Sequence, residues 1–496
     1  MGTISFLVPE NLTAADAAEL AHACIVGGPD NMPWPSDVRI VNSHLTVRRA
    51  VEESGYLSAP LQVDTLGRLM VCSSTLMERP EPYELLVELA RGKTNQLRSQ
   101  YHDWCMGGLQ SSPALDQALR QASQAFGEAV LGETPAQRQA RAGQALALAC
   151  QAAEKIVGAY VEQVFAIRHQ RQRRLDSQLG CRLDIHDREE DIHAVLGRVG
   201  NSVTIDFSWR DIEPSEGRPQ WDRYDALVRQ AKDAGFQLRG GPLVDFSGGA
   251  LPDWLSLYEN DLQKVYALAS RHVDMVLGRF GTLVHHWELS HGANRPVALR
   301  LGEEDLFWLT VRLIETARAV DPELEFSVGL IQPWGEYMAH QESASSPVDF
   351  ADKLMRTGLN IAGLGLEFVM GVSPRGSYCR DVLELSRLLD LYAQFGIPLH
   401  VELGYPSASG HDRLADPSQR IGNGNWHGTP TPQLQAEWVA AFAALALSKP
   451  AVRSLQWTHL SDATPHVFPH CGLLDALGGP KPAALQLEKL REQHLM

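Results

Sequence analysis

The stretch Gly396-Ile397-Pro398-Leu399-His400-Val401-Glu402-Leu403-Gly404-Tyr405-Pro406 runs a short apolar strand straight into a carboxylate. Ile397 to Val401 supply the strand, and Gly404 and Pro406 end it. A glutamate at the C-terminal end of a buried strand is ill placed for solubility and well placed for chemistry. Two readings of Glu402 stand at this point. It is either a core carboxylate held by an arginine or a backbone amide, or a reactive group.

The same pattern repeats outward from this stretch. Apolar runs of four to seven residues lie around Cys181, Val203, Leu238 to Val244, Val284, Phe326, Ile361 to Glu367, Leu399 and Val452, with amphipathic helical segments between most of them. The helices include Trp221 to Ala234, Glu303 to Val320, Asp381 to Phe395 and Leu434 to Leu447. Eight βα units in about 310 residues have the period and length of an α/β (β/α)8 TIM barrel, expected over residues 180–496. Parallel strands buried on both faces also account for runs that are continuous rather than alternating.

The residues before the barrel divide in two. Residues 1–78 read as a β-sandwich-like module, with short branched-residue strands at Val38 to Val41, Leu45 to Val51, Tyr56 to Val63 and Leu69 to Ser73. Residues 79–179 read as a helical connector. Pro82 marks one helix start, Ser112 a second, and Thr134-Pro135 a capped third, in which apolar residues recur from Ala142 to Val164.

Composition excludes some classes of function. The chain has 496 residues and a net charge of −16, which argues against a general nucleic-acid binder. Its basic run, Arg168 to Arg174, follows a helical pattern and reads as a solvated helix end. The first residues lack a basic region followed by a long apolar run, so no signal peptide is expected. No uninterrupted apolar stretch reaches the length of a membrane span. The seven cysteines are scattered and form no C-x-x-C pair, as in a reduced, cytoplasmic protein.

In a TIM barrel the chemistry sits at the C-terminal ends of the strands. Those ends here offer Asp206, Asp245, Glu288 with His291, Gln332 with Trp334 and Glu336, Glu367, Glu402, and Trp457 with His459 and Asp462. Carboxylates beside tryptophans suit sugars, because carboxylates serve as nucleophile and acid while indole faces cover sugar rings. No H-E-x-x-H, P-loop or clean G-x-G-x-x-G is present. The His and Asp spacing selects no metal, so neither metal nor cofactor is assigned.

Several ordered motifs carry a family resemblance. Phe207-Ser-Trp209 through Glu213-Pro214, Arg239-Gly-Gly-Pro-Leu-Val244 through Trp254, His286-Trp-Glu288-Leu-Ser-His291-Gly292, His400-Val-Glu402-Leu, and Trp457-Thr-His-Leu-Ser-Asp462 through Leu474 and Pro480-Lys-Pro-Ala483 occur in that order. Together they resemble family 10 glycoside hydrolases, the xylanase family, over residues 180–490. The whole chain is more loosely similar to large multidomain proteins of planctomycete type. The family resemblance implies a nucleophile at Glu402 and a sugar-facing Trp457.

The departures are equally specific. The family's acid/base glutamate falls at Gly292 and its preceding asparagine at His291, and a one-residue shift would put His291 in the glutamate's place. Thr204, Ile205, Ser208, Gly241, Asp245-Phe246 and Glu367 stand where the family holds other sugar-gripping residues. Glu402 then has Glu367 or Glu336 as partner carboxylates. Glu367 is read either as catalytic or as an ion pair with Arg375, and His291 either as an acid or as a loop imidazole. Glu288 is read as structural, and Trp209, Trp221 and Trp254 as packing residues.

The expected function is hydrolysis of a poly- or oligosaccharide, with Glu402, Glu367 and His291 as catalytic candidates. Asp245, Trp334, Glu336, Trp457, His459 and Asp462 are the substrate-binding candidates. Two other classes stay open: an inactive carbohydrate-binding barrel, and an assembly protein that oligomerises through its helices. No nucleic-acid or membrane partner is expected.

Overall fold

The computed structural model describes residues 2–9, 12–295, 297–340 and 345–495. Its front end holds eight strands: β1 (Gly2–Leu7), β2 (Cys24–Gly27), β3 (Met32–Trp34), β4 (Ser36–Val41), β5 (His44–Arg49), β6 (Gly55–Gln62), β7 (Gly67–Leu76) and β8 (Tyr83–Glu84). They form two sheets, in the orders β4-β5-β1-β8 and β7-β6-β2-β3. A helix α1 (Ala14–Leu20), not expected in a strand-rich region, begins at a Thr13/Asp16 capping box.

Three helices follow: α2 (Leu85–Met106), α3 (Pro113–Val130) and α4 (Pro135–Arg171). Ser112 and Thr134 cap α3 and α4, each accepting a backbone N–H at 3.3 Å. Helix α2 starts three residues after Pro82, because Tyr83 and Glu84 first pair with β1. The face of α4 through Ala142, Leu146, Ala149, Ala153 and Ile156 is buried, as helical spacing dictates.

The barrel strands are β9 (Gln178–Leu183), β10 (Ser202–Ile205), β11 (Gln237–Gly240), β13 (His286–His291), β14 (Glu325–Leu330), β15 (Gly363–Val369), β17 (Leu399–Gly404) and β20 (Val452–Trp457). All eight run parallel in that order. Pairing of β20 with β9 and of β11 with β13 closes the cylinder, giving a (β/α)8 barrel. Four two-residue strands sit in the loops: β12 (Val244–Asp245), β16 (Val372–Ser373), β18 (Arg420–Ile421) and β19 (Asn425–Trp426).

Front end and barrel share one apolar core. Strand β19, from the loop after β17, pairs with β7 and extends the second front-end sheet to five strands. The Met70 N–H donates to Cys379 O at 2.8 Å, and the buried Lys93 ammonium meets Asp381 at 2.5 Å. The seven cysteines are unpaired. No helix among the described residues is long and apolar enough to cross a membrane.

Candidate functional site

Register puts the two strand-end glutamates side by side. Glu367 on β15 pairs directly with Glu402 on β17. Parallel neighbours at one register lie about 4.8 Å apart and project to the same side, here into the barrel. Glu367 is 3% exposed and Glu402 9%, so both carboxylates need countercharge.

Arginines supply it. Arg182 on β9 donates from Nε and Nη2 to Glu402, at 3.1 and 2.7 Å. Both bonds fall on Oε2, and Oε1 accepts none among the described residues. Arg375 grips Glu367 bidentately, Nε on Oε1 at 3.1 Å and Nη2 on Oε2 at 2.6 Å. Burial alone would raise the Glu367 carboxyl, but Arg375 and His291 hold it down at about 2. Glu367 is therefore ionised at neutral pH and has no proton to give.

His291 reaches this network through a bulge. Along a regular strand, residues three apart face opposite sides. The β13–β14 register slips between Glu288 and Ser290, so Glu288 and His291 both face inward. His291 Nδ1 stands 2.5 Å from Glu288 Oε1, and Nε2 stands 3.3 Å from Glu367 Oε2. Burial would lower this imidazole, but the Glu288 and Glu367 carboxylates hold it up at about 10. The opposing strand makes room through Gly329, where a Cβ would come within 2.0 Å of Glu288 Oε1 and 2.3 Å of His291 Nδ1.

Gly292 follows with φ +71°, in the left-handed region, and an added Cβ would meet Ser247 Cβ at 2.9 Å. Asp245 turns its Oδ1 to the Ser247 N–H at 2.7 Å and keeps Oδ2 3.9 Å from Arg375.

Asp206, at the end of β10, differs from these groups. Burial, opposed by Arg182, pushes it up to about 7, and Oδ1 is buried without a hydrogen-bond partner. It is a strand-end carboxyl that burial holds up near neutrality. In the sequence Asp206 is one strand-end carboxylate among several, and its lack of a partner is a tertiary fact. Arg182 gave a usable signal: an arginine inside a parallel strand needs an anion within the barrel.

The other site candidates separate in space. Trp334 and Glu336 line a cavity of about 920 Å³ between the front end and the barrel loops, shared with Tyr56, Asn95, Gln96 and Arg380. The Arg380 guanidinium lies 4.4 Å over the Trp334 ring and also holds Glu336. Trp457 is 2% exposed, meets Trp438 of the helix Pro432–Ser448 edge-on at 6.2 Å, and donates its indole N–H to Cys471 O. His459 and Asp462 stand 3.1 Å apart in a separate cluster on the loop after β20.

Residues 177–401 match the family model described as Glycosyl hydrolase family 10. That match covers most of the barrel and makes it similar to a family 10 domain. Endo-1,4-beta-xylanase A of Fusarium oxysporum f. sp. lycopersici is 26% identical over 172 residues, covering 32% of this chain and 49% of that protein. Beta-galactosidase LacA of Lactobacillus acidophilus is 34% identical over 85 residues, 17% of this chain and 12% of the relative. Xylanase 10B from Thermotoga maritima superposes with a TM-score of 0.49 at 16% identity, covering 64% of this chain and 95% of that one. The chain thus spans about half the length of this fungal relative.

Proposed function

We propose that the barrel hydrolyses a glycosidic bond in a β-linked oligo- or polysaccharide, with Glu402 as nucleophile and Asp206 as proton donor. The observation that carries this is the one-sided grip on Glu402. Arg182 fixes Oε2, while Oε1 stays uncommitted. In the first step Oε1 bonds to the anomeric carbon as the glycosidic C–O bond breaks. The Asp206 proton goes to the leaving oxygen. The Asp206 carboxylate then takes a proton from water, whose oxygen displaces Glu402 from the anomeric carbon.

Glu367 and His291 serve in this reading as positioning residues, since His291 is engaged on both ring nitrogens. We assign residues 1–179 to closing one side of the Trp334 cavity. The names of the two curated relatives, a β-xylanase and a β-galactosidase, make β-xylosides and β-galactosides the first substrates to assay.

A second reading, a carbohydrate-binding barrel without turnover, is favoured by Gly292. Ser247 sits where a side chain at that position would emerge. The two readings separate on wild type, Glu402→Gln and Asp206→Asn, each assayed on an aryl β-glycoside and a natural oligosaccharide. Hydrolysis is expected to vanish in Glu402→Gln. In Asp206→Asn it should fall about 10²–10⁴-fold on the oligosaccharide and far less on the aryl substrate, whose phenolate leaves unprotonated. Wild-type turnover in Glu402→Gln removes it as nucleophile. Sugar binding by an inert wild type establishes the binding reading.

A further inference from the structure

The cavity between front end and barrel loops, about 920 Å³, is at the upper end of the size range of small-molecule sites. Its floor is one face of the sheet β7-β6-β2, where Cys24, Ser58 and Cys72 form a single cross-strand row. Three small side chains in a row leave a trough that a close-packed core would fill.

Two helices stand over this floor. From α2, Asn95, Gln96, Ser99 and Gln100 face the cleft along one helical stripe. A stripe turned toward the rest of the molecule is ordinarily apolar, and this one carries amides and a hydroxyl. Asn95 Nδ2 donates to Ser74 Oγ at 3.0 Å, and the Gln96 amide donates to Glu384 on the helix Val382–Ala393. The Ser99 and Gln100 side chains and the Tyr56 hydroxyl have no partner among the described residues. An amide offers a donor and an acceptor side by side, and a hydroxyl offers both on one atom, which matches neighbouring hydroxyls on a ligand.

Charge narrows the class of ligand. Arg380 holds Glu336, Asp390 pairs with Lys449 at 2.8 Å, and Arg387 stands one turn from Glu384. The wall answers its own charges, which suits a neutral ligand. Tyr56 and Trp334, both half-buried, add aromatic surface to the lining. Amides, hydroxyls, aromatic rings and balanced charge are the groups that recognise a sugar.

The cleft is separate from the barrel centre. Glu402, Asp206, Glu367 and His291 do not line it. Pro374 does, and the next residue, Arg375, turns its guanidinium to Glu367 at 2.6 Å. The loop after β15 is the partition between the two. We propose that this cleft binds a neutral oligosaccharide at a site of its own, built jointly by the front end and the barrel loops. The proposal does not rest on the hydrolase reading, because a barrel without turnover would bind sugar there equally.

The test titrates the full chain by calorimetry, in the Glu402→Gln background to prevent turnover. The probes are a β-xylo-oligosaccharide, a β-galacto-oligosaccharide and an acidic oligogalacturonate. Expected is saturable binding of a neutral probe, weakened about tenfold in Gln100→Ala, the upper end for one lost hydrogen bond. In Ser99→Trp, which fills the cleft from an exposed helix position, one binding site should be lost whatever the barrel centre retains. Wild-type affinity and stoichiometry in both variants overturn the proposal, since the sugar then sits elsewhere. So does the absence of binding by either neutral probe, and so does tighter binding of the oligogalacturonate. Should Ser99→Trp not fold, Gln100→Ala decides. A wild type that turns over no substrate but keeps the cleft site sinks the hydrolase reading alone.

Discussion

Arg182 is the residue on which the barrel interior turns. Its guanidinium meets Glu402 at 2.7 Å and lies 3.7 Å from Glu288. Removing one partner of a buried pair leaves an uncompensated charge, which costs about 3–5 kcal/mol. Arg182→Ala is therefore expected to lower the denaturant midpoint strongly, whereas Glu402→Gln, which keeps an acceptor for Arg182, should lower it far less. Equal losses in the two variants would show that Glu402 is held for folding rather than chemistry.

Titration gives a second prediction at this scale. Asp206 rises from 3.8 to about 7 in the folded chain, so folding takes up a proton between those values and stability falls as pH climbs through them. His291 rises from 6.5 to about 10, so its contribution is complete below 6.5 and lost as pH approaches 10. Both groups predict a melting temperature that declines from pH 5 to pH 9. Asp206→Asn should flatten the limb below pH 7 and leave the upper limb in place. A profile unchanged by that substitution would mean Asp206 is ionised throughout.

At the scale of the strand, the bulge in β13 sets what position 292 can do. A glutamate placed there meets a left-handed backbone and Ser247 at 2.9 Å. Gly292→Glu is thus expected to destabilise the chain and to leave hydrolysis of unactivated substrates no faster, even though it writes the family's residue back into the sequence. A gain in oligosaccharide turnover would show that the loop can reset itself. Across the ladder, Gly329→Ala drives a methyl onto Glu288 and His291. Overpacking of this kind costs about 1–3 kcal/mol, measurable by denaturant unfolding.

For the molecule as a whole, the shared core and the buried Lys93–Asp381 pair make the front end part of the barrel's stability. Asp381 also caps the helix Val382–Ala393, accepting the Leu383 and Glu384 N–H groups. Calorimetry should show one cooperative transition, and Asp381→Ala should lower it by about 3–5 kcal/mol by leaving Lys93 unpaired in the interior. Two resolved transitions, with only one moved by Asp381→Ala, would show that front end and barrel unfold separately.

The sequence by itself determined the elements that depend on near neighbours along the chain. Continuous apolar runs such as Ile361 to Leu366 suit strands buried on both faces, and Thr134-Pro135 suits the start of a helix. The alternation of such elements fixed a barrel, and the barrel placed Glu402 at its C-terminal rim. The tertiary structure alone decided what surrounds that carboxylate. Arg182 lies 220 residues away, and the β13 slip that turns His291 inward leaves no trace in the local pattern. Side-chain charge is written in the sequence. Its partner, its burial and hence its protonation are set by contacts that exist only once the cylinder has closed.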